Sequence, residues 1–199
     1  MELSGVQFVS LFPGSRDPAD LAEPFRGNVE RFLAALQQAG AAAHILQATF
    51  RPAKRAYLMH FAFAIAKGMI AVDKVPAFDP AVVPEDDPNQ GPLDIQWVHP
   101  DEHGHPDLAA SRQVAAQMVT AYGIVFGPAF PTRHSARRAI DMTITWAGAL
   151  KFADANNHIV TITSTPRTGA DNTDLHAVGK TYGVIKLLAD HPHWSDNGH

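Results

Sequence analysis

The chain contains no cysteine, which excludes a disulfide framework, a thiolate metal site and a cysteine nucleophile. Any metal must therefore be held by nitrogen and oxygen. There is no basic tract, and the formal net charge is −4, so nucleic acid is not an expected partner. No apolar run approaches the roughly 20 residues that cross a bilayer, so no membrane span is expected. The first residues, Met1-Glu2-Leu3-Ser4-Gly5-Val6-Gln7-Phe8-Val9, place an acid where a secretory signal carries lysine or arginine, and Pro13-Gly14 soon interrupts the apolar stretch. We read no signal peptide there. The expectation is a protein made in the cytoplasm. Lysis or a secretion machine would have to deliver it to any substrate outside.

What is present points to one compact domain, residues 1–199, with 46% hydrophobic and 18% charged residues. That length buries a core without staples. Phe25, Val29, Phe32, Leu33 and Leu36 recur at helical spacing within 20–39, and Gly40 stops the run. Residues 43–50 read as a strand. Pro52 opens a helix over 53–68. The segment 74–92 carries Pro76, Pro80, Pro84, Pro88 and Pro92 with a small acidic cluster. It reads as a loop insertion rather than a linker, because neither side makes a self-sufficient core. Residues 93–98 form a short strand candidate. Asp107 caps a helix over 108–122. Residues 139–146 alternate as a half-buried strand, with Ile140, Met142, Ile144 and Trp146 against Asp141, Thr143 and Thr145. Lys151-Phe152 and 158–163 read as a hairpin turning at 154–157. A last helix over 172–182 gives way at Gly183 to a strand over 184–188. Helices dominate the first half and strands the second, which predicts an α+β fold, an antiparallel sheet flanked by helices.

Two segments carry the chemistry. Asp190-His191-Pro192-His193-Trp194-Ser195 and the stretch from Thr132 to Asp141 together offer histidines and a carboxylate as ligands, with a further carboxylate nearby. Three protein ligands, an open position for water and a general base make up a catalytic zinc site. Asp141 lies on the polar side of its strand, and His134 precedes it across a loop. His191 and His193, two apart, would share a strand face, so spacing alone leaves both open as the third ligand. Trp146 and Trp194 are read as core aromatics, and no role is assigned to Ser195 or Asp196. The segment with His99, Asp101, His103, His105 and Asp107 has no regular period and flanks glycine and proline, so it reads as a solvated loop. His44, His60, His158 and His176 are read as structural or surface residues, and Arg55 as pairing with a surface acid.

The segment Thr132 to Asp141 resembles the SxHxxGxAxD signature of the M15 peptidases, the D-Ala-D-Ala carboxypeptidase and L-alanyl-D-glutamate endopeptidase group. Asp190-His191-Pro192-His193-Trp194 resembles that family's second motif, with an acid three residues before the last zinc histidine. The resemblance covers about 132–146 and 182–196. It implies the Hedgehog/DD-peptidase fold, with His134, Asp141 and His193 as ligands of Zn2+ and Asp190 as general base. Phe50-Arg51-Pro52 resembles the setting of the family's substrate-binding arginine, which implies that role for Arg51. Thr132 stands where the signature has serine. Arg137 stands where it has glycine, the residue used where φ is positive or a backbone comes close. Asp190 stands where glutamate is more common and is one methylene shorter. The stretch between Arg51 and His134 is longer than in compact members.

The resemblance implies a zinc metallopeptidase that hydrolyses peptidoglycan stem peptides at a bond involving a D-amino acid, as an endopeptidase or a carboxypeptidase. The alternative is a catalytically impaired module of the same fold that binds metal and cell wall without turnover. Oligomeric state and scissile bond are not legible in the residues.

Overall fold

The computed structural model describes residues 1–45 and 48–199. In chain order its strands are β1 (Glu2–Leu3), β2 (Ala42–Ile45), β3 (Ile95–Gln96), β4 (His99–Pro100), β5 (Pro106–Asp107), β6 (Ala139–Thr145), β7 (Leu150–Ala153), β8 (Ile159–Ile162), β9 (Ile185–Lys186) and β10 (His193–Ser195). The α-helices are α1 (Phe25–Gln38), α2 (Ala53–Ala66), α3 (Leu108–Tyr122) and α4 (Thr173–Thr181). The class is α+β, with mostly antiparallel strand pairing. Among the described residues, no helix is long and apolar enough to cross a membrane. The chain divides into two compact units, one of Met1–Gly14 and Arg51–Ser135, the other of Ser15–Phe50 and Ala136–His199.

The second unit is built on a four-stranded antiparallel sheet in the order β2-β6-β10-β9. Its core gathers Phe25, Val29, Phe32 and Leu36 of α1, Ile140, Met142 and Ile144 of β6, Leu175 and Val178 of α4, and Trp194 of β10. The four α1 residues fall at i, i+4, i+7 and i+11, one stripe of a 3.6-residue helix. This helix starts at Phe25, five residues later than the periodicity predicts. Pro24 disfavours helical backbone at the residue before it, and Pro18–Asp20 instead make a 3-10 turn whose Ala19 N–H donates to the Asp17 carboxylate. Helix α4 is capped by Asn172, whose side-chain oxygen accepts from Leu175 N at 2.9 Å. The hairpin β7-β8 turns where Asp154 accepts from the backbone N–H groups of Asn156 and His158.

Two strand expectations in this unit are adjusted. The strand read over 43–50 is observed as Ala42–Ile45, and its next two positions, 46 and 47, lie outside the described residues. The strand read over 184–188 pairs only through Ile185–Lys186. There the chain leaves the ladder because Lys186 Nζ draws in the carbonyls of a following turn: Leu187 O, Asp190 O at 2.5 Å and His193 O at 3.3 Å.

The first unit has its own core, with Phe8, Tyr57, Leu58, Ala62, Ile65, Phe78, Trp97 and Met118. Helices α2 and α3 both line it. Asp107 caps α3 by accepting from Ala110 N at 2.9 Å, and Gly123 ends it at φ 66 in the left-handed region. The proline-rich stretch 74–92 lies inside this unit and closes over its core through Phe78. Asp87, fully buried, accepts from Ala53 N, the first residue of α2, and from the backbone and side chain of Asn89, each at 2.9 Å. One carboxylate thus caps a helix and pins the loop to it. The base of the segment is tied by Arg51 N donating to His134 O (3.3 Å) and Ser135 Oγ donating to Arg51 O (2.8 Å). The long stretch between Arg51 and His134 therefore returns to its starting point.

Arg55 departs from its reading. It donates to the carbonyls of Val9 and Phe12 and stacks 4.8 Å over the Tyr122 ring. Burial, which disfavours the charged form, holds its guanidinium below the ordinary arginine range.

Candidate metal centre

In β6 and β10 the register places His193 directly opposite Asp141 and Trp194 opposite Ile140. Side chains of neighbouring antiparallel strands that face each other share a face. Trp194 and Ile140, both fully buried, turn to the core, so His193 and Asp141 share the other face. The polar alternation of β6 continues into exposed Thr143 and Thr145, but at Asp141 that face is covered: the carboxylate residue is only 5% exposed. His193 Nδ1 lies 3.3 Å from Asp141 Oδ1.

His134 comes from the turn that precedes β6. Its N–H reaches Thr132 Oγ1 at 3.4 Å, and Ser135 N donates to Thr132 O at 3.1 Å, so Thr132 closes the turn that presents His134. Ligand atoms of His134, Asp141 and His193 all lie within 4.8 Å of one another, and all three residues are buried. His191 is exposed and outside this group. The choice that spacing left open between His191 and His193 thus falls to His193.

The donor set fits a small divalent cation. Zinc bonds to nitrogen and carboxylate oxygen are about 2.0–2.1 Å, so two ligand atoms on one edge of a tetrahedron stand about 3.3 Å apart. The Nδ1–Oδ1 separation matches that edge. His193 Nε2 lies 3.2 Å from a main-chain oxygen of His199, so both ring nitrogens have an oxygen within hydrogen-bonding reach. A His₂Asp set also accepts other divalent ions.

Arg137 adopts φ 57, the left-handed backbone that glycine adopts most easily. The arginine is held there by its guanidinium, 4.0 Å over the Phe50 ring and donating to Asp20 O at 3.2 Å. Ala22 N also donates to Arg137 O at 2.9 Å.

Arg51 is half-buried at the start of α2, its backbone bonded to that of His134. Asp190 is exposed in the turn between β9 and β10, and its carbonyl accepts from His193 N at 3.1 Å. Neither side chain belongs to the cluster of ligand atoms. His103 and His105 are exposed, beside Glu102 and Asp101 respectively, in the small β4-β5 hairpin.

Sequence reasoning missed Lys186. It is 6% exposed, and its ammonium gathers the carbonyls of the turn that carries Asp190 and leads into His193. Burial pushes it below the ordinary lysine range, against the opposing pull of Asp190, Asp171 and Asp141. The available signal was a lone charge within the apolar run Val184-Ile185-Lys186-Leu187-Leu188.

Comparison of the chain with protein-family models, with curated proteins and with solved structures gave no match.

Proposed function

We propose that the chain is a zinc-dependent peptidase of the Hedgehog/DD-peptidase type, acting on peptidoglycan stem peptides at a bond involving a D-amino acid. The observation that carries this reading is the buried convergence of His134, Asp141 and His193, the three residues that the M15-like motifs nominate. The left-handed backbone at Arg137, where the signature has glycine, supports the same reading.

A zinc ion held by these residues would supply Lewis acidity and make water a nucleophile at neutral pH. The chain's own residues would do the rest. His134, Asp141 and His193 would orient the ion and leave one position open to solvent and substrate. Asp190 would take the proton of the attacking water and return it to the leaving amine. Its place on the turn bonded to His193 N–H ties the base to a ligand. Being exposed, it is open to water and to substrate. Arg51 would hold a substrate carboxylate or the developing oxyanion by charge-assisted hydrogen bonds.

The second reading, a module that binds metal and wall peptides without turnover, is favoured by one observation. Asp190 is exposed while the three ligands are buried, and it is a methylene shorter than glutamate. Mass spectrometry of muropeptides after digestion separates the two. The peptidase reading expects new cleavage products with the wild type, none with chelator, and none with Asp190→Ala at unchanged zinc content. Intact muropeptides at full zinc occupancy of the wild type would instead establish the binding module.

A further inference from the structure

The turn between β9 and β10 carries Asp190, and three main-chain bonds close it. Asp190 N donates to Leu187 O at 3.2 Å, His193 N to Asp190 O at 3.1 Å, and Leu187 N to His193 O at 3.1 Å. The three acceptors are the same carbonyls that Lys186 Nζ gathers. Each of these oxygens therefore accepts twice, which fills both its lone pairs, and an ammonium has three N–H bonds to give. Lys186 stands outside the turn it binds. Its backbone is paired with Trp194 in the ladder, and its ammonium lies 5.9 Å from the centroid of that residue's ring. A charge as buried as this one persists only where it is bonded, and here its bonds converge on the turn.

We propose that Lys186 is a positioning residue for Asp190: its ammonium clamps the three carbonyls of the turn and so sets where the base stands relative to the metal ligands. The inference rests on the reading of Asp190 as general base. His193 is held independently of the clamp, by its pairing opposite Asp141 in the ladder of β10 with β6. Asp190 belongs to no strand. Its backbone is placed by bonds whose acceptors Lys186 shares. Three carbonyl oxygens that converge on one point repel one another once the cation is removed, so the turn opens. The ligand then stays in its strand while the base drifts. A displacement of about 1 Å at a reacting group costs about 100-fold in rate, so the clamp matters to turnover far more than to metal binding.

Amide hydrogen exchange on metal-free protein reads the turn, chelator competition for zinc reads the ligands, and muropeptide turnover reads the base. In the wild type the amides of Leu187, Asp190 and His193 are expected to be protected. Lys186→Met keeps the length of the side chain and removes its charge. Protection at the three amides should then fall by about tenfold or more, the scale of a hydrogen bond to a charged group. The kcat on muropeptides should fall by about 100-fold while KM and zinc affinity hold. Lys186→Cys is the second variant. The chain has no cysteine of its own, so aminoethylation of that thiol rebuilds an ammonium of nearly lysine's reach at this position alone. Protection and kcat should both return. Unprotected turn amides in the wild type overturn the inference before any variant is made. An unchanged kcat in Lys186→Met, or a loss that aminoethylation does not restore, overturns it and leaves the peptidase reading standing. So does a loss of zinc that accounts for the loss of kcat, because Lys186 would then support a ligand and not the base. A wild type that takes up zinc and cleaves no muropeptide overturns the peptidase reading itself, and the role of Lys186 with it.

Discussion

Gly179→Ala tests whether the packing behind the candidate centre is as tight as the structure shows it. Gly179 lies in α4 against the rear of Trp194, the residue that follows His193. A Cβ at this position would stand 2.8 Å from Val184 O, 2.9 Å from Trp194 Cζ3 and 3.4 Å from Phe32 Cζ. The carbonyl cannot retreat by a change of rotamer. Trp194 is itself fully buried and held in place, with Phe32 at 5.8 Å and His176 edge-on at 5.5 Å between ring centroids. Overpacking of this kind costs roughly 1–3 kcal/mol. Alanine would return up to about 1 kcal/mol of helix propensity. Because one clash is with backbone, the net expectation is a loss of about 1–2 kcal/mol. For a chain of this size that corresponds to a melting temperature lower by roughly 2–8 °C. Thermal unfolding followed by circular dichroism checks the figure, and zinc competition on the same variant shows whether a displaced Trp194 carries His193 with it. A melting temperature equal to or above the wild type would refute the reasoning, because propensity would then have outweighed a clash that does not exist.

Other expectations follow from the first unit. Asp87→Ala should destabilise by about 1–3 kcal/mol, since it leaves the α2 amide and the Asn89 groups without their acceptor; a change below 0.5 kcal/mol, about the scatter of surface substitutions, in urea unfolding would contradict the capping role. All three tyrosines are pushed up by burial, Tyr122 to about 12, so phenolate absorbance of the folded protein should lag the ordinary value of about 10. For Tyr122 the folded state keeps its proton where the unfolded state loses it. Its contribution is whole below pH 10 and is lost as the pH rises from about 10 to about 12, by up to about 1.4 kcal/mol per pH unit. Tyr122→Phe should flatten the alkaline loss in urea midpoints between pH 9 and 11, and an identical slope in both proteins would contradict the assignment.

How much of this was legible in the chain depends on the range of the interaction. Helix α3 was readable to its ends, because Asp107 and Gly123 are local signals. Strand β6 was readable from its alternation, though not the covering of Asp141, which depends on chain elsewhere. The two histidines and the aspartate were readable only because their motifs fix spacing, and the structure brings the same three together. The positive φ of Arg137 is not announced by its residue type, since arginine seldom adopts it. What sequence did not disclose was tertiary. Asp87 caps a helix that begins 34 residues before it. Lys186 gathers carbonyls that become neighbours only when the turn closes. A segment read as an insertion in one domain belongs to a unit with a core of its own. None of these leaves a period or a spacing, since each is a meeting of residues that local rules treat as independent.

The most direct measurement is zinc stoichiometry by equilibrium dialysis and elemental analysis on the wild type, His134→Ala, Asp141→Ala, His193→Ala and His191→Ala. The expected result is one zinc per chain in the wild type and in His191→Ala, with loss of the ion in each of the other three. Zinc retained in folded His193→Ala, or lost in His191→Ala, would contradict the assignment of the centre.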